Sequence, residues 1–165
     1  NTFLIVPWID EKRRQTADDW KKLAAQFDAL ADKVAPAGMR VGYHNHNVEF
    51  TPLAGKTPWD LFFGGTKKAV VQQVDTGNCI DGGGDPVALI KAYPGRTATI
   101  HIKEFSKTKP DAFVGDGDVP WKAVFEACET TGGTEWYIVE YESDAYPPLV
   151  SVQKTFEVLK KWGKC

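Results

Sequence analysis

The stretch Val41-Gly-Tyr-His-Asn-His-Asn-Val-Glu-Phe50 decides how the chain is read. Met39 to His46 has the composition and length of a β-strand. Successive side chains there point to opposite faces, so His44 and His46 share one face while Tyr43 and Asn45 take the other. On the N-terminal side of this strand, Thr16 opens a helix, and Asp19 three residues later completes a capping box. Trp20, Leu23, Ala24, Phe27, Leu30, Ala31 and Val34 then recur at helical spacing, until Pro36 and Gly38 stop the helix. On the other side, Thr57-Pro58 starts a short helix with proline at its first position. A strand set between two helices is the repeating unit of a parallel sheet.

The same unit recurs along the chain. Thr2 to Ile9 reads as an earlier strand, and Ala69–Asp75, Thr97–Lys103 and Trp136–Glu142 as later ones. Asp85-Pro86 opens a helix that Pro94-Gly95 ends. Asp118 is expected to cap a helix carrying Trp121, Val124, Phe125 and Cys128, which Gly132-Gly133 terminates. Pro147-Pro148 begins a last helix, with Leu149, Val152, Phe156 and Leu159 expected on its buried face. Five βα units in a row predict an α/β fold with helices packed outside a parallel sheet. No linker or low-complexity tract interrupts residues 1–165, so a single domain is expected.

Composition narrows the functional classes. The chain is 42% hydrophobic and 12% aromatic, enough to bury a core. Its net charge is -2 and no long basic run appears, which argues against a nucleic-acid partner. No apolar stretch approaches the roughly 20 residues that span a bilayer, so no membrane partner is expected. Cys79, Cys128 and Cys165 show no paired spacing. They fit a reducing compartment, and Cys79 and Cys128 read as packing residues. A cytoplasmic location is expected. The chain begins at Asn1 in mid-strand sequence, which leaves an exported form open.

The polar residues fall in register. All three histidines, His44, His46 and His101, lie in two strand segments. Gln73 and Asp75 share a face of the third strand, His101 and Lys103 of the fourth, and Glu140 and Glu142 of the fifth. In a closed barrel the inward face at the C-terminal strand ends is where active sites sit. An Asp, a His and a Glu from three strands suit a divalent cation such as Mn²⁺, Mg²⁺ or Zn²⁺. Glu49, just past the His-Asn-His strand, offers a fourth group. Singly, each of these residues reads as a solvated or capping side chain. Their recurrence at successive strand ends favours a site.

The order Tyr43-His-Asn-His-Asn-Val-Glu-Phe50, Val74-Asp-Thr-Gly-Asn78, His101-Ile-Lys-Glu104, Val114-Gly-Asp-Gly-Asp-Val-Pro-Trp121 and Val139-Glu-Tyr-Glu142 resembles the sugar phosphate isomerase/epimerase family of xylose-isomerase-like (β/α)8 TIM barrels. The resemblance runs from Phe3 to about Lys161. It implies a metal site at the barrel mouth, with Asp75, His101 and Glu140 matching ligands that follow the sixth, seventh and eighth strands. The first ligand is either Glu49 or His44, and Glu49 is preferred because a third carboxylate suits a hard cation. Glu140 is then the favoured general base and Glu49 the second. Lys103 either polarises a substrate carbonyl or pairs with Glu142. Substrate contacts are expected from His44, His46, Asn78 (where many relatives carry His), Trp8 and Glu142. The Gly115–Asp118 loop resembles one at the active-site rim.

The implied activity is a metal-dependent isomerase or epimerase of a small sugar, keto-sugar or polyol, working through an enediolate. A dehydratase and a non-catalytic carbohydrate-binding or assembly subunit are the alternatives. A (β/α)8 barrel typically needs about 250 residues, so five βα units correspond to strands four to eight, with the first three units absent. Open sheet edges invite pairing, so a homo-oligomer that completes or covers them is expected, and activity of the chain alone is expected to be weak or absent.

Overall fold

A computed structural model describes residues 1–165. The strands are β1 Phe3–Val6, β2 Arg40–His44, β3 Val71–Asp75, β4 Thr99–Ile102 and β5 Trp136–Val139, each shorter than the sequence pattern predicts. They pair in parallel in chain order, β1-β2-β3-β4-β5. The helices are α1 Ala17–Val34, α2 Pro58–Phe63, α3 Thr76–Asp81, α4 Pro86–Ala92, α5 Trp121–Ala127 and α6 Pro148–Lys161. Helix α3 has no counterpart in the sequence reading. It starts directly from β3, with Asp75 as its N-cap.

Most helix starts follow the predicted chemistry. The Thr16 hydroxyl accepts from the Asp19 N–H, and the Asp19 carboxylate accepts from the Thr16 N–H, so the capping box is complete. Thr57 and Asp85 also cap α2 and α4, without a capping box: Thr57 accepts from the Asp60 N–H and Asp85 from the Val87 and Ala88 N–H groups, each N-cap being followed by proline. Asp118 does not cap α5. Its carboxylate accepts from the Lys107 N–H instead, and Pro120 stands at the helix start without a side-chain cap.

The sheet is curled into a half-barrel. Neighbouring strands lie about 4.8 Å apart, so side chains on β2 and β4, which have β3 between them, would stand about twice that distance apart on a flat sheet. The His44 and His101 rings instead come to 4.5 Å. At the opposite end, Arg40 on β2 reaches Glu135, just before β5, at 2.5 Å. Curling requires a thin inner layer: a Cβ on Gly42 would sit 2.6 Å from both the Val71 carbonyl oxygen and Ile5 Cδ1.

The convex face carries the core. Tyr43, Val74, Ile100 and Ile102 lie beneath Trp20, Phe27, Trp59 and Phe62 from α1 and α2 and Val124 and Phe125 from α5. Fully burying a side chain of this size contributes roughly 1.5–3 kcal/mol. Apart from Leu30 on α1, the large exposed apolar side chains belong to β1, β5, α6 or the residues flanking them. On α6, Ser151, Thr155 and Leu159 are buried, while Leu149, Val152 and Phe156 are 84%, 56% and 51% exposed. Of the face predicted to be buried, Leu159 is buried as expected, while Leu149, Val152 and Phe156 face outward.

Candidate metal centre

Four consecutive strands each deliver one ligand-type group to the same point. His44 ends β2, Asp75 ends β3, His101 lies within β4, and Glu140 directly follows β5. One ligand atom from each lies within 4.8 Å of all the others. The register produces this meeting, since His44 pairs beside Gln73 and Asp75 beside His101 on the concave face.

His44 is oriented from below. Its Nδ1 lies 3.1 Å from the Gln73 side-chain oxygen Oε1, and the Gln73 Nε2 donates to the Thr99 hydroxyl at 2.8 Å. In this arrangement Nδ1 donates its proton to Gln73, which leaves the Nε2 lone pair free for a cation. Burial, reinforced by the neighbouring His101 and His46, pulls His44 down to about 4. The ring is thus neutral near pH 7, as a metal-binding imidazole must be.

Asp75 is held by the adjacent strand and its own helix. Its N–H donates to the Asn45 side-chain oxygen at 2.8 Å, and the Asn45 amide donates back to the Asp75 carbonyl at 3.1 Å. One carboxylate oxygen accepts from the Asn78 N–H at 2.7 Å. The other, Oδ2, is buried with no hydrogen-bond partner, 3.9 Å from His101 Nδ1. Burial pushes Asp75 up to about 7. Buried polar atoms are nearly always partnered, so an orphan carboxylate oxygen among two imidazoles and a second carboxylate fits a cation's coordination.

Glu140 closes the set from the sheet edge. It accepts hydrogen bonds from His101 Nδ1 and, at 2.9 Å, from Lys103 Nζ. The His101 bond, opposed by partial burial and reinforced by Lys103, holds Glu140 down at about 2. Lys103 also pairs with Glu142. Burial alone would lower the Lys103 ammonium, but its hydrogen bonds to Glu142 and Glu140 outweigh burial and leave it raised.

Glu49 lies away from the four converging groups. The 3₁₀ turn Val48–Phe50 carries its carboxylate back to the convex side of β2. There it accepts from the Tyr43 hydroxyl at 2.7 Å and from the His46 N–H at 2.7 Å. Both oxygens are engaged and fully buried, and Glu49 is not among the four converging groups. His44 is the fourth group at the convergence.

The remaining predicted residues frame the mouth. Trp8, half exposed, meets the edge of His46 at 4.9 Å, and the His46 ring lies 5.2 Å from His44. The Asn78 amide reaches the Asn45 carbonyl at 3.4 Å. Beside Lys103, Glu140, Glu142 and Ser143 lies a cavity of about 360 Å³ walled by Pro110 and Ala112, at the small end of ligand sites. A larger hollow of about 640 Å³, lined by Trp121, Phe125 and Trp162, lies outside α5 and touches none of the four groups.

Three supporting residues were not singled out from the sequence as parts of the site: Gln73, Asn45 and Glu104. Gln73 and Asn45 each sit one residue or two from a named residue, and strand alternation gave their faces. Glu104 directly follows Lys103 and ends the His101–Glu104 motif, but nothing in the sequence assigns it a role. Its oxygens accept from the N–H groups of Phe105, Gly115 and Val119 and from Trp121 Nε1, at 2.6–3.2 Å, and so organise the whole Gly115–Trp121 segment.

Comparisons with known proteins agree with this architecture. An inosose dehydratase from Lacticaseibacillus casei is 29% identical over 161 residues, covering 82% of this chain and 51% of that protein. One from Clostridium tetani is 27% identical over 157 residues, covering 84% and 52%. The chain thus spans about half the length of the curated relatives it matches. Among solved structures, a sugar phosphate isomerase/epimerase from Parabacteroides distasonis superposes with a TM-score of 0.86 at 26% identity, covering 96% of this chain and 57% of that one. A D-tagatose 3-epimerase-like protein shares the fold at a TM-score of 0.67 and 14% identity. The family model of the xylose isomerase-like TIM barrels matches residues 2–162, nearly the full half-barrel, and the chain belongs to that family.

Proposed function

We propose that this protein removes a proton α to the carbonyl of a small sugar, keto-sugar or polyol-derived ketone at a divalent-cation centre. The observation that carries the reading is the approach of His44, Asp75, His101 and Glu140 to within 4.8 Å, with a buried Asp75 oxygen left unpartnered. Two imidazole nitrogens and two carboxylate oxygens suit Mn²⁺ or Zn²⁺ and, with more added water, Mg²⁺. A bound cation would polarise a carbonyl and hydroxyl pair and acidify the α-proton.

Glu140 is the proton carrier in this reading. It is ionised across the physiological range, and its low proton affinity makes it a weak base by itself. Transfer to it therefore depends on the acidified substrate. Lys103, 2.9 Å from Glu140, balances negative charge as it develops on the substrate oxygen. Trp8 and His46 supply one wall of the sugar site, and Asn78 and Glu142 are its hydroxyl-facing groups. A second copy covering the open edges is part of the proposal.

Return of the proton to the neighbouring carbon or the opposite face completes an isomerisation or epimerisation. Loss of the neighbouring hydroxyl as water, protonated by Lys103, completes a dehydration. The second outcome has its own support in the inosose dehydratase relatives. Incubation with Mn²⁺ in deuterated water, followed by proton NMR on keto-sugars and inososes, tests both. Solvent deuterium at the α-carbon is the expected result, with at least about a 100-fold slower rate in Glu140→Gln. An unsaturated product identifies dehydration, and a deuterated isomer identifies isomerisation or epimerisation. Absence of both metal binding and exchange would contradict the enzyme reading and leave a carbohydrate-binding subunit.

A further inference from the structure

Beyond Glu140, the segment that carries Glu142 is held by side chains. The last ladder bond of β5 runs from the Glu140 N–H to the Ile102 carbonyl at 3.2 Å. From Tyr141 to Tyr146 no backbone group takes part in a backbone–backbone hydrogen bond. Alternation continues past the strand end, so Glu140 and Glu142 turn to Lys103 while Tyr141 turns the opposite way. There its ring stacks on Phe113, with centroids 5.0 Å apart and planes at 10°, and its hydroxyl donates to the Asp111 carbonyl at 3.2 Å.

Phe113 sits in irregular chain yet is only 6% exposed. Tyr146 packs on it at 4.5 Å, and Lys154 Nζ lies 4.8 Å from its ring centre. The Gly115–Trp121 segment that follows Phe113, and bonds it through the Asp116 N–H at 2.8 Å, is itself fixed by the Glu104 carboxylate, next in sequence to Lys103. A Cβ on Gly117 would collide with the Glu104 carboxylate at 2.6 Å, so this segment lies close against its anchor. Tyr141 therefore joins this wall to a strand end that, past Glu140, is otherwise held by the Lys103 pairs with Glu140 and Glu142 and by Tyr146 on Phe113.

We propose that Tyr141 is a positioning residue. Clamped on Phe113 and bonded to Asp111, it sets the backbone of Glu140 so that the Glu140 carboxylate reaches His101 and Lys103. This rests on the metal-centre reading above, in which Glu140 is a ligand. Stacked aromatic pairs contribute beyond their buried area, and the hydroxyl bond adds direction to the stack.

The test is a double-mutant cycle on the full chain, read as Mn²⁺ affinity by titration calorimetry, with circular dichroism confirming the fold of each variant. Tyr141→Ala is expected to weaken Mn²⁺ binding about tenfold, the effect typical of a residue that orients a ligand. Tyr141→Phe keeps the stack and is expected to lose no more than about threefold. In a Glu140→Ala background, Tyr141→Ala is expected to cause no further loss, because its effect runs through Glu140. Equal losses in both backgrounds, or none in the first, would overturn the proposal. A second readout needs no metal: the Nδ1 proton of His101, held on ionised Glu140, gives a low-field proton resonance. It should vanish in Tyr141→Ala and persist in Tyr141→Phe, and its persistence in both would equally overturn the proposal. A wild-type chain that binds no Mn²⁺ refutes the metal centre, while the resonance still decides the role of Tyr141.

Discussion

The middle of the sheet and its edges are built to different standards. β2 and β3 are buried along nearly their whole length; their concave side chains are tied across strands through Gln73 and Thr99, and Asn45 bonds the Asp75 backbone. β1, β5 and α6 carry nearly all the exposed large apolar side chains, including Trp136 at 62% and Leu149 at 84%. Three of the four converging groups stand on β2–β4, and the fourth, Glu140, stands on the edge. The difference teaches where the site's rigidity comes from: backbone pairing and buried amides fix His44, Asp75 and His101, whereas Glu140 depends on the side chains around it.

The comparison breaks most visibly in the core. Phe62→Ala, on α2 and packed against Phe27 and Tyr43, is expected to destabilise by about 3–5 kcal/mol through cavity formation, whereas Phe156→Ser on the open face of α6 should change stability by no more than about 0.5 kcal/mol. Chemical denaturation of both variants checks this, and similar losses would mean that the α6 face is covered in solution.

A pH effect of similar size is expected from Asp75. Its folded-state value, about 7 against 3.8 unfolded, means that the folded chain holds a proton there which the unfolded chain releases. The stabilisation is complete below about pH 4 and is lost as pH rises toward 7, amounting to about 4 kcal/mol. Thermal melts of the metal-free chain should therefore show a decline between pH 4 and 7 that Asp75→Asn lacks and that added Mn²⁺ suppresses. A wild type and an Asp75→Asn variant with parallel pH profiles would show that Asp75 is not held neutral.

A smaller effect sharpens the role of the middle strands. Gln73→Leu removes the acceptor that orients His44 and is expected to weaken Mn²⁺ binding about tenfold with the fold retained. An unchanged affinity would mean that His44 is oriented by packing alone.

Much of this was legible in the sequence because it depends on local chemistry. Thr16 with Asp19, Thr57-Pro58 and Asp85-Pro86 start helices through bonds within a few residues, and strand alternation placed Asp75, His101 and Glu140 on one face. What was missed depends on distant partners. The 3.6 periodicity of Leu149, Val152 and Phe156 marks an apolar face but not whether anything lies against it. Asp118 had a choice between the α5 N-terminus and the Lys107 N–H, and only the folded loop decides it. Glu49, just past the strand, is expected from the sequence to fold back to the metal, but the turn at Val48–Phe50 delivers it to Tyr43 instead. Chemical preference for a third carboxylate could not foresee that geometry.

The central claim is that the cation is held by His44, Asp75, His101 and Glu140, with Glu49 engaged elsewhere. Anomalous diffraction at the manganese edge from Mn²⁺-soaked crystals tests it most directly. The account predicts one strong peak within coordination distance, about 2.0–2.3 Å, of atoms from all four residues. A peak bonded to the Glu49 carboxylate, or no peak among the four at saturating Mn²⁺, would contradict it.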